Sequence, residues 1–236
     1  MRNWQEDQLQ ALQTIECEKQ LFKTFISFSE ELGFDHCAYG LRLALPITNP
    51  KTYLVNNYPT AWQTQYQDNH YIDIDPTVQR AMHSILPIPW TDELFSATPE
   101  LWESAKSFGL RYGWGQSIRD CNGAIGLMTL ARSKEAISSS EIAAKGLKII
   151  WLAQICHLAM SRLLTSKLAP EANVILTARE QEVLRWTADG KTSHEISCIL
   201  NIKERTVNFH VNNTLTKLNT TNKTAAAIKA SLLGLI

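Results

Sequence analysis

Apolar side chains recur at helical spacing from Trp4 to Leu32 (Leu9, Leu12, Leu21, Phe22, Phe25, Phe28, Leu32) and stop at Gly33, which predicts a surface helix. Strand-like alternation follows. His36 to Leu45 and Lys51 to Val55 are β-like, separated by Pro46 and Pro50, while Trp114 to Asp120 and Ile125 to Arg132 flank Cys121-Asn122-Gly123-Ala124, an Asn-Gly hairpin signal. One antiparallel sheet is expected. Between these strands Pro59–Tyr71, Pro76–Ser84 and Pro99–Phe108 read as helices, each with Pro near its first turn, where a missing N–H costs least. A longer helix runs from Ser138 to about Leu164. Its apolar residues (Ile142, Leu147, Ile150, Trp151, Ile155, Leu158, Met160) cover more than one face, so it should pack on the sheet and on a second surface such as a partner subunit.

After residue 173 the pattern is purely helical. Thr177 is a candidate N-cap with Glu180 as its capping-box partner, followed by an apolar stripe through Val183, Leu184 and Trp186 and a stop at Asp189-Gly190. Thr192 or Ser193 can cap a short second helix with Ile196, Ile199 and Leu200 on one face, and Asn201-Ile202-Lys203 turns into a third. There Val207, Val211, Leu215 and Leu218 form a stripe at offsets of four, four and three, and Arg205, Asn208, Asn212 and Thr216 occupy the neighbouring face. Asn can pair bidentately with adenine and Arg with guanine or phosphate, so this helix-turn-helix is predicted to enter a DNA major groove, with Asn208 and Asn212 as base readers. Lys191, Thr192, Arg205 and Lys217 complete the expected DNA contacts.

Charge sharpens that division. The formal net charge is zero, yet residues 173–236 hold eight Lys/Arg against five Asp/Glu and residues 1–172 hold fifteen against eighteen. The basic part is the part expected to face phosphate. The five cysteines (Cys17, Cys37, Cys121, Cys156, Cys198) share no metal-ligand spacing and read as buried reduced thiols, with no metal and no cofactor expected. No signal peptide and no apolar run of about 20 residues is evident, which predicts a cytoplasmic protein without membrane contact.

Aromatic residues cluster in the first part: eleven of the twenty lie between Tyr53 and Trp114, and only Trp186 and Phe209 follow residue 172. Tyr58, Trp62 and Tyr66 step along one helix face, with Asp73 and Asp75 nearby, which suits either a concave apolar ligand site with polar groups or an aromatic core. Tyr58-Pro59, Trp62, Tyr66, Tyr71 and Asp75-Pro76, continued by Trp90 and Gly113, resemble the YPxxWxxxYxxxxYxxxDP signature of LuxR-type quorum-sensing receptors. GKTSHEI and ERTVNFHV, with Glu180, Leu184 and Gly190, resemble the same family's DNA module.

The resemblance covers nearly the whole chain and implies an α+β protein: an N-terminal α/β/α sandwich of the PAS/GAF-like kind that binds ligand and dimerises, over residues 1–165, a linker at 166–173, and an all-α NarL-type four-helix domain over 174–236. It implies an N-acyl-homoserine lactone as ligand and promoter DNA, a second copy and RNA polymerase as partners. Carried over by position, Trp62 would donate to the lactone carbonyl, an ionised Asp75 would accept from the amide N–H, and Tyr58 with Thr129 would hold the acyl carbonyl. Tyr66, Trp90 and Trp102 would wall the ring, with Leu110 as a further apolar contact. Three positions depart from the family pattern: Thr129 where Ser is frequent, Leu101 where an aromatic is frequent, and Lys203 at the N-cap of the third helix, at a cost of ~1 kcal/mol in local stability. Alternative readings are a regulator of this architecture that senses another amphiphile or none, a phosphoacceptor response regulator, and an enzyme with an aromatic cleft. The receiver lacks its early acidic cluster and alternating βα order, and the enzyme lacks G-x-S-x-G, H-E-x-x-H, P-loop and G-x-G-x-x-G motifs.

Overall fold

A computed structural model gives the architecture of the chain, and it describes residues 10, 12, 14–168 and 174–236. The start of the first predicted helix and residues 169–173 of the predicted linker lie outside the described residues. Two compact units are present, the first containing every strand and the second the last four helices.

In the first unit helix α1 covers Glu18–Glu31, shorter than the apolar spacing predicts, because Thr14 to Cys17 are not helical. Adjacent β-branched Thr14 and Ile15 are weak helix formers. Strands β1 (His36–Arg42) and β2 (Thr52–Asn56), helix α2 (Thr60–Asp68), a 3-10 turn (Tyr71–Asp73) and helix α3 (Pro76–Ala81) follow. Then come β3 (Ile88–Pro89), α4 (Pro99–Ser107), β4 (Tyr112–Arg119), β5 (Ile125–Arg132) and α5 (Ser139–Leu168). All five strands pair antiparallel in the order β2-β1-β5-β4-β3. The β4–β5 hairpin closes with Arg119 opposite Ile125 and Gly123 at φ +71°, the left-handed conformation that the Asn-Gly signal requires. Two-residue β3 escaped the pattern because it is too short to alternate, and Pro89 is tolerated there because β3 is an edge strand.

The sheet carries helices on both faces. On one face Tyr39 of β1 shares a 2.8 Å hydrogen bond with Nδ1 of His157 on α5, and a Cβ on Gly126 would lie 2.3 Å from that nitrogen, so α5 is seated directly on the backbone of β5. A window of α5 is long and apolar enough to span a bilayer, but 56% of it is buried within the unit, as in a core helix. The opposite face receives α2, α3 and α4. Of the five free thiols only Cys37 and Cys156 are buried, whereas Cys17, Cys121 and Cys198 are exposed, which corrects the expectation that all are core residues.

The second unit comprises α6 (Ala178–Ala188), α7 (Ser193–Leu200), α8 (Glu204–Leu218) and α9 (Lys223–Leu232). Thr177–Glu180 and Thr192–Glu195 are complete capping boxes, so Thr192 rather than Ser193 caps the second helix. Asn201 and Asn219 end α7 and α8 in the left-handed conformation, and Lys203 makes no side-chain cap at the start of α8. Val183, Ile196, Val207 and Val211 form one apolar cluster, and Leu176, Leu184, Leu218, Ala226, Ala227 and Ala230 form another. Leu215 is half-buried between them, and Thr214 takes the fully buried place beside it by returning its hydroxyl to the Val211 carbonyl at 2.6 Å.

Candidate functional site

Between the sheet and α2–α4 lies a largely apolar cavity of about 180 Å³. Alternation on three strands builds its floor as three rungs: Asn56, Ala38 and Thr129; Leu54, Gly40 and Leu127; Thr52, Arg42 and Ile125. The polar groups gather at the first rung. Tyr58 and Thr129 hydroxyls share a 2.8 Å hydrogen bond, and Tyr58 is positioned by its N–H donating to Asn56 at 3.1 Å and its carbonyl accepting from Gln63 at 2.7 Å. The Tyr66 hydroxyl donates to Oδ2 of Asp75 at 2.9 Å, and Oδ1 accepts from the Thr77 N–H at 2.8 Å and hydroxyl at 2.7 Å.

Asp75 is therefore both the N-cap of α3 and a cavity-lining acid. With Pro76 at the first helical position, the Asp-Pro pair sets helix start and side-chain direction together. Burial pushes the Asp75 carboxyl above the usual aspartate range, against the hydrogen bonds from Thr77 and Tyr66 that favour the anion. An ionised Asp75, as the sequence reading expects, would stand in a site that penalises its charge. Burial raises the phenols of Tyr58 and Tyr66 as well, with Asp75 adding to the effect on Tyr66, so both remain hydroxyl donors.

Of the predicted ligand residues, Tyr58, Trp62, Tyr66, Asp75, Trp90, Leu110 and Thr129 all line this cavity. Trp62 is buried, with its ring against Tyr66 (5.7 Å), Tyr71 (5.8 Å) and Phe108 (5.7 Å). Trp102 does not line it. Its ring stacks on Phe95 at 4.4 Å and 3°, and its indole N–H donates to Asp92 at 2.6 Å, so it supports the wall from behind and Phe95 presents the aromatic surface. Phe95 carried no signal of its own in the sequence. Gly40, Leu54, Leu127 and Arg42 were legible only as strand residues, since the face they present depends on pairing.

On the second unit Arg205, Asn208 and Asn212 are exposed along α8, with Phe209 60% exposed among them at helical offsets of four and three from Arg205 and Asn212. Two predicted contacts are committed elsewhere. The Thr192 hydroxyl accepts from the Glu195 N–H at 3.2 Å and donates to the Glu195 carboxylate at 2.8 Å. Lys217 pairs with the nearly buried Glu180 at 2.7 Å, and although burial pushes Glu180 up, Lys217 and Thr177 outweigh it and hold that carboxyl low. Lys191 is half-buried at the turn before α7.

Residues 18–160 match the autoinducer binding domain family, and residues 174–230 match the bacterial regulatory proteins of the luxR family. Transcriptional activator protein AnoR of Acinetobacter nosocomialis is 45% identical over 238 residues, 100% of either chain. HTH-type quorum-sensing regulator RhlR of Pseudomonas aeruginosa is 37% identical, covering 99% of this chain and 96% of its own. The crystal structure of Escherichia coli SdiA superposes with a TM-score of 0.83 at 36% identity over 99% of this chain and 98% of that one. A second SdiA structure, in complex with octanoyl-rac-glycerol, gives 0.82 at 34% identity over 100% and 98%.

Proposed function

The chain belongs to the LuxR family of autoinducer-binding transcriptional regulators, and from that premise we propose that Tyr58, Trp62, Asp75 and Thr129 hold an N-acyl-homoserine lactone whose occupancy controls binding to promoter DNA. The carrying observation is the cavity with its hydroxyl pair and its Tyr66–Asp75 pair at one end and the apolar Leu54, Gly40 and Leu127 rung beyond. That polarity matches an amphiphile with a compact polar head and an acyl tail. The free lone pairs of Asp75 accept the ligand amide N–H, and Trp62 donates to the ring carbonyl. Trp90, Leu110 and Phe95 enclose the head, and Trp102 stiffens Phe95 from behind.

Ligand and fold are linked, because a molecule that binds the folded state at a hundred times its Kd stabilises it by ~2.7 kcal/mol. Residues 1–165 form the sensing domain in this reading, 166–173 the connection and 174–236 the DNA domain. Asn208 and Asn212 read base edges, Arg205 and Lys191 meet phosphate, and Phe209 meets a thymine methyl. Lys217 keeps Glu180 neutralised inside the domain rather than reaching the duplex.

A second copy covers the outer stripe of α5, where Ala143, Leu147, Trp151, Gln154 and Leu158 recur at steps of four and three, with Leu147 82% and Leu158 65% exposed. Two recognition helices then address an inverted repeat with half-sites about one helical turn apart. Promoter-bound dimers act on RNA polymerase by recruiting or blocking it.

The test is the melting temperature of the full chain with a series of N-acyl-homoserine lactones, repeated for Trp62→Ala and Asp75→Ala. Saturating ligand should raise the wild-type melting temperature by about 5–11 °C and leave both variants unmoved. A wild type unmoved by lactones but stabilised by octanoyl glycerol would assign the cavity to another amphiphile, a possibility kept open by the SdiA complex.

A further inference from the structure

The cavity has a second chemical end. Arg42 lies on the same strand face as Gly40 and Ala38, four residues from the rung that carries Thr129, which is ~13 Å at ~3.3 Å per residue. Its guanidinium donates to Sδ of Met82 at 3.6 Å, a weak acceptor, and among the described residues no carboxylate pairs with it. Ile125 stands opposite Arg42 on β5, Thr52 on β2, and Val78 and Ala81 of α3 also line the cavity. An aliphatic passage thus runs from the hydroxyl pair toward a half-buried cation whose side-chain partner among the described residues is a thioether.

We propose that Arg42 is the end wall that sets ligand length. The inference rests on the lactone reading of the cavity. An extended acyl chain advances ~1.25 Å per carbon, from the bond length and angle of a saturated chain, so about ten carbons span the distance from the Thr129 rung to Arg42. Up to that length each methylene is buried between Leu54, Leu127 and Ile125. Past it, a further methylene must press against the guanidinium and strip water from it, and dehydrating an unpaired cation costs more than burying a methylene returns. The arginine stem supplies apolar surface to the chain end while its head stays hydrated. Chain-length selectivity therefore arises from a charge at the end of the passage rather than from its width, and Met82, unbranched and adaptable, gives no comparable barrier.

The experiment measures the affinity of full-length protein for unsubstituted N-acyl-homoserine lactones from about four to about sixteen carbons, in wild type, Arg42→Met and Arg42→Gln. Wild-type affinity should rise up to about fourfold per methylene until about ten carbons and then fall. In Arg42→Met the fall should move at least two carbons longer, with the six-carbon lactone still bound, since that chain does not reach the third rung and its binding reports an intact fold. Arg42→Gln is the neutral polar variant that decides the point if Arg42→Met does not fold. A fall at the same chain length in the variants and wild type would overturn the role of Arg42 alone. A wild type that binds no lactone of any length would overturn the cavity reading, and the end-wall proposal with it.

Discussion

Replacing Gly113 by alanine tests how the aromatic wall is built. The residue sits on β4, and its carbonyl accepts the Trp90 N–H at 2.9 Å, which fixes the Trp90 backbone beside it. An added Cβ would lie 2.2, 2.3 and 2.7 Å from three carbons of the Trp90 ring, separations that packed side chains do not tolerate. The ring cannot swing aside freely, because Phe95 and Trp102 hold it edge-on at 6.1 and 6.3 Å. Overpacking of this kind costs about 1–3 kcal/mol. For a unit of this size that is roughly 2–12 °C in melting temperature. Because Trp90 lines the cavity, lactone affinity should fall as well, whereas Gly126→Ala, which strikes His157 on the opposite face of the sheet, should lower stability with a smaller effect on affinity. Gly146→Ala is the control of opposite sign. Its Cβ meets nothing closer than Ile142 at 3.9 Å, and alanine is favoured over glycine in a helix by roughly 0.5–1 kcal/mol. Thermal melts of the three variants followed by circular dichroism, with ligand titrations read by tryptophan fluorescence, decide the matter. Wild-type melting and affinity in Gly113→Ala would refute the argument that this glycine exists to seat Trp90.

Asp75→Asn should keep the fold, since its amide oxygen still caps Thr77 and a penalised buried charge is removed, yet lactone affinity should fall roughly ten- to hundredfold as an acceptor toward the ligand N–H becomes a donor; calorimetric titration measures it. Arg132, at 2.6 and 2.9 Å, and Lys145, at 2.9 Å, hold Glu141 at about 2, so its contribution is full above the unfolded value near ~4.3 and is lost as pH falls toward 2. Glu141→Gln should accordingly cost about 1–3 kcal/mol at neutral pH and much less near pH ~2, as denaturant titrations at the two pH values will report. Asn208→Ala should cost roughly 1–3 kcal/mol on a cognate site and relax one base position; a uniform loss on all DNA in anisotropy titrations would make Asn208 a phosphate contact instead.

Short-range signals were legible in the sequence. The Thr177–Glu180 capping box, the Asp189-Gly190 stop, the hairpin at Asn122-Gly123 and the prolines at helix starts act over about one turn of chain, and each does its predicted work in the structure. The valine and leucine stripe of α8 belongs to the same class, as does the aromatic run that supplies most of the cavity head. What the sequence could not determine depended on partners distant along the chain. Trp102 and Phe95 are both apolar and aromatic, and only packing turned one toward the cavity and the other behind it. Lys217 looks like an ordinary surface donor until Glu180, far away along the chain, claims it. Arg42 reads as a polar residue within a predicted strand, and it lines the cavity only because β1 pairs with β2 and β5. A one-residue change in that register would turn Arg42 to the opposite face, so the role of such a residue is a property of the pairing between strands and not of any strand alone.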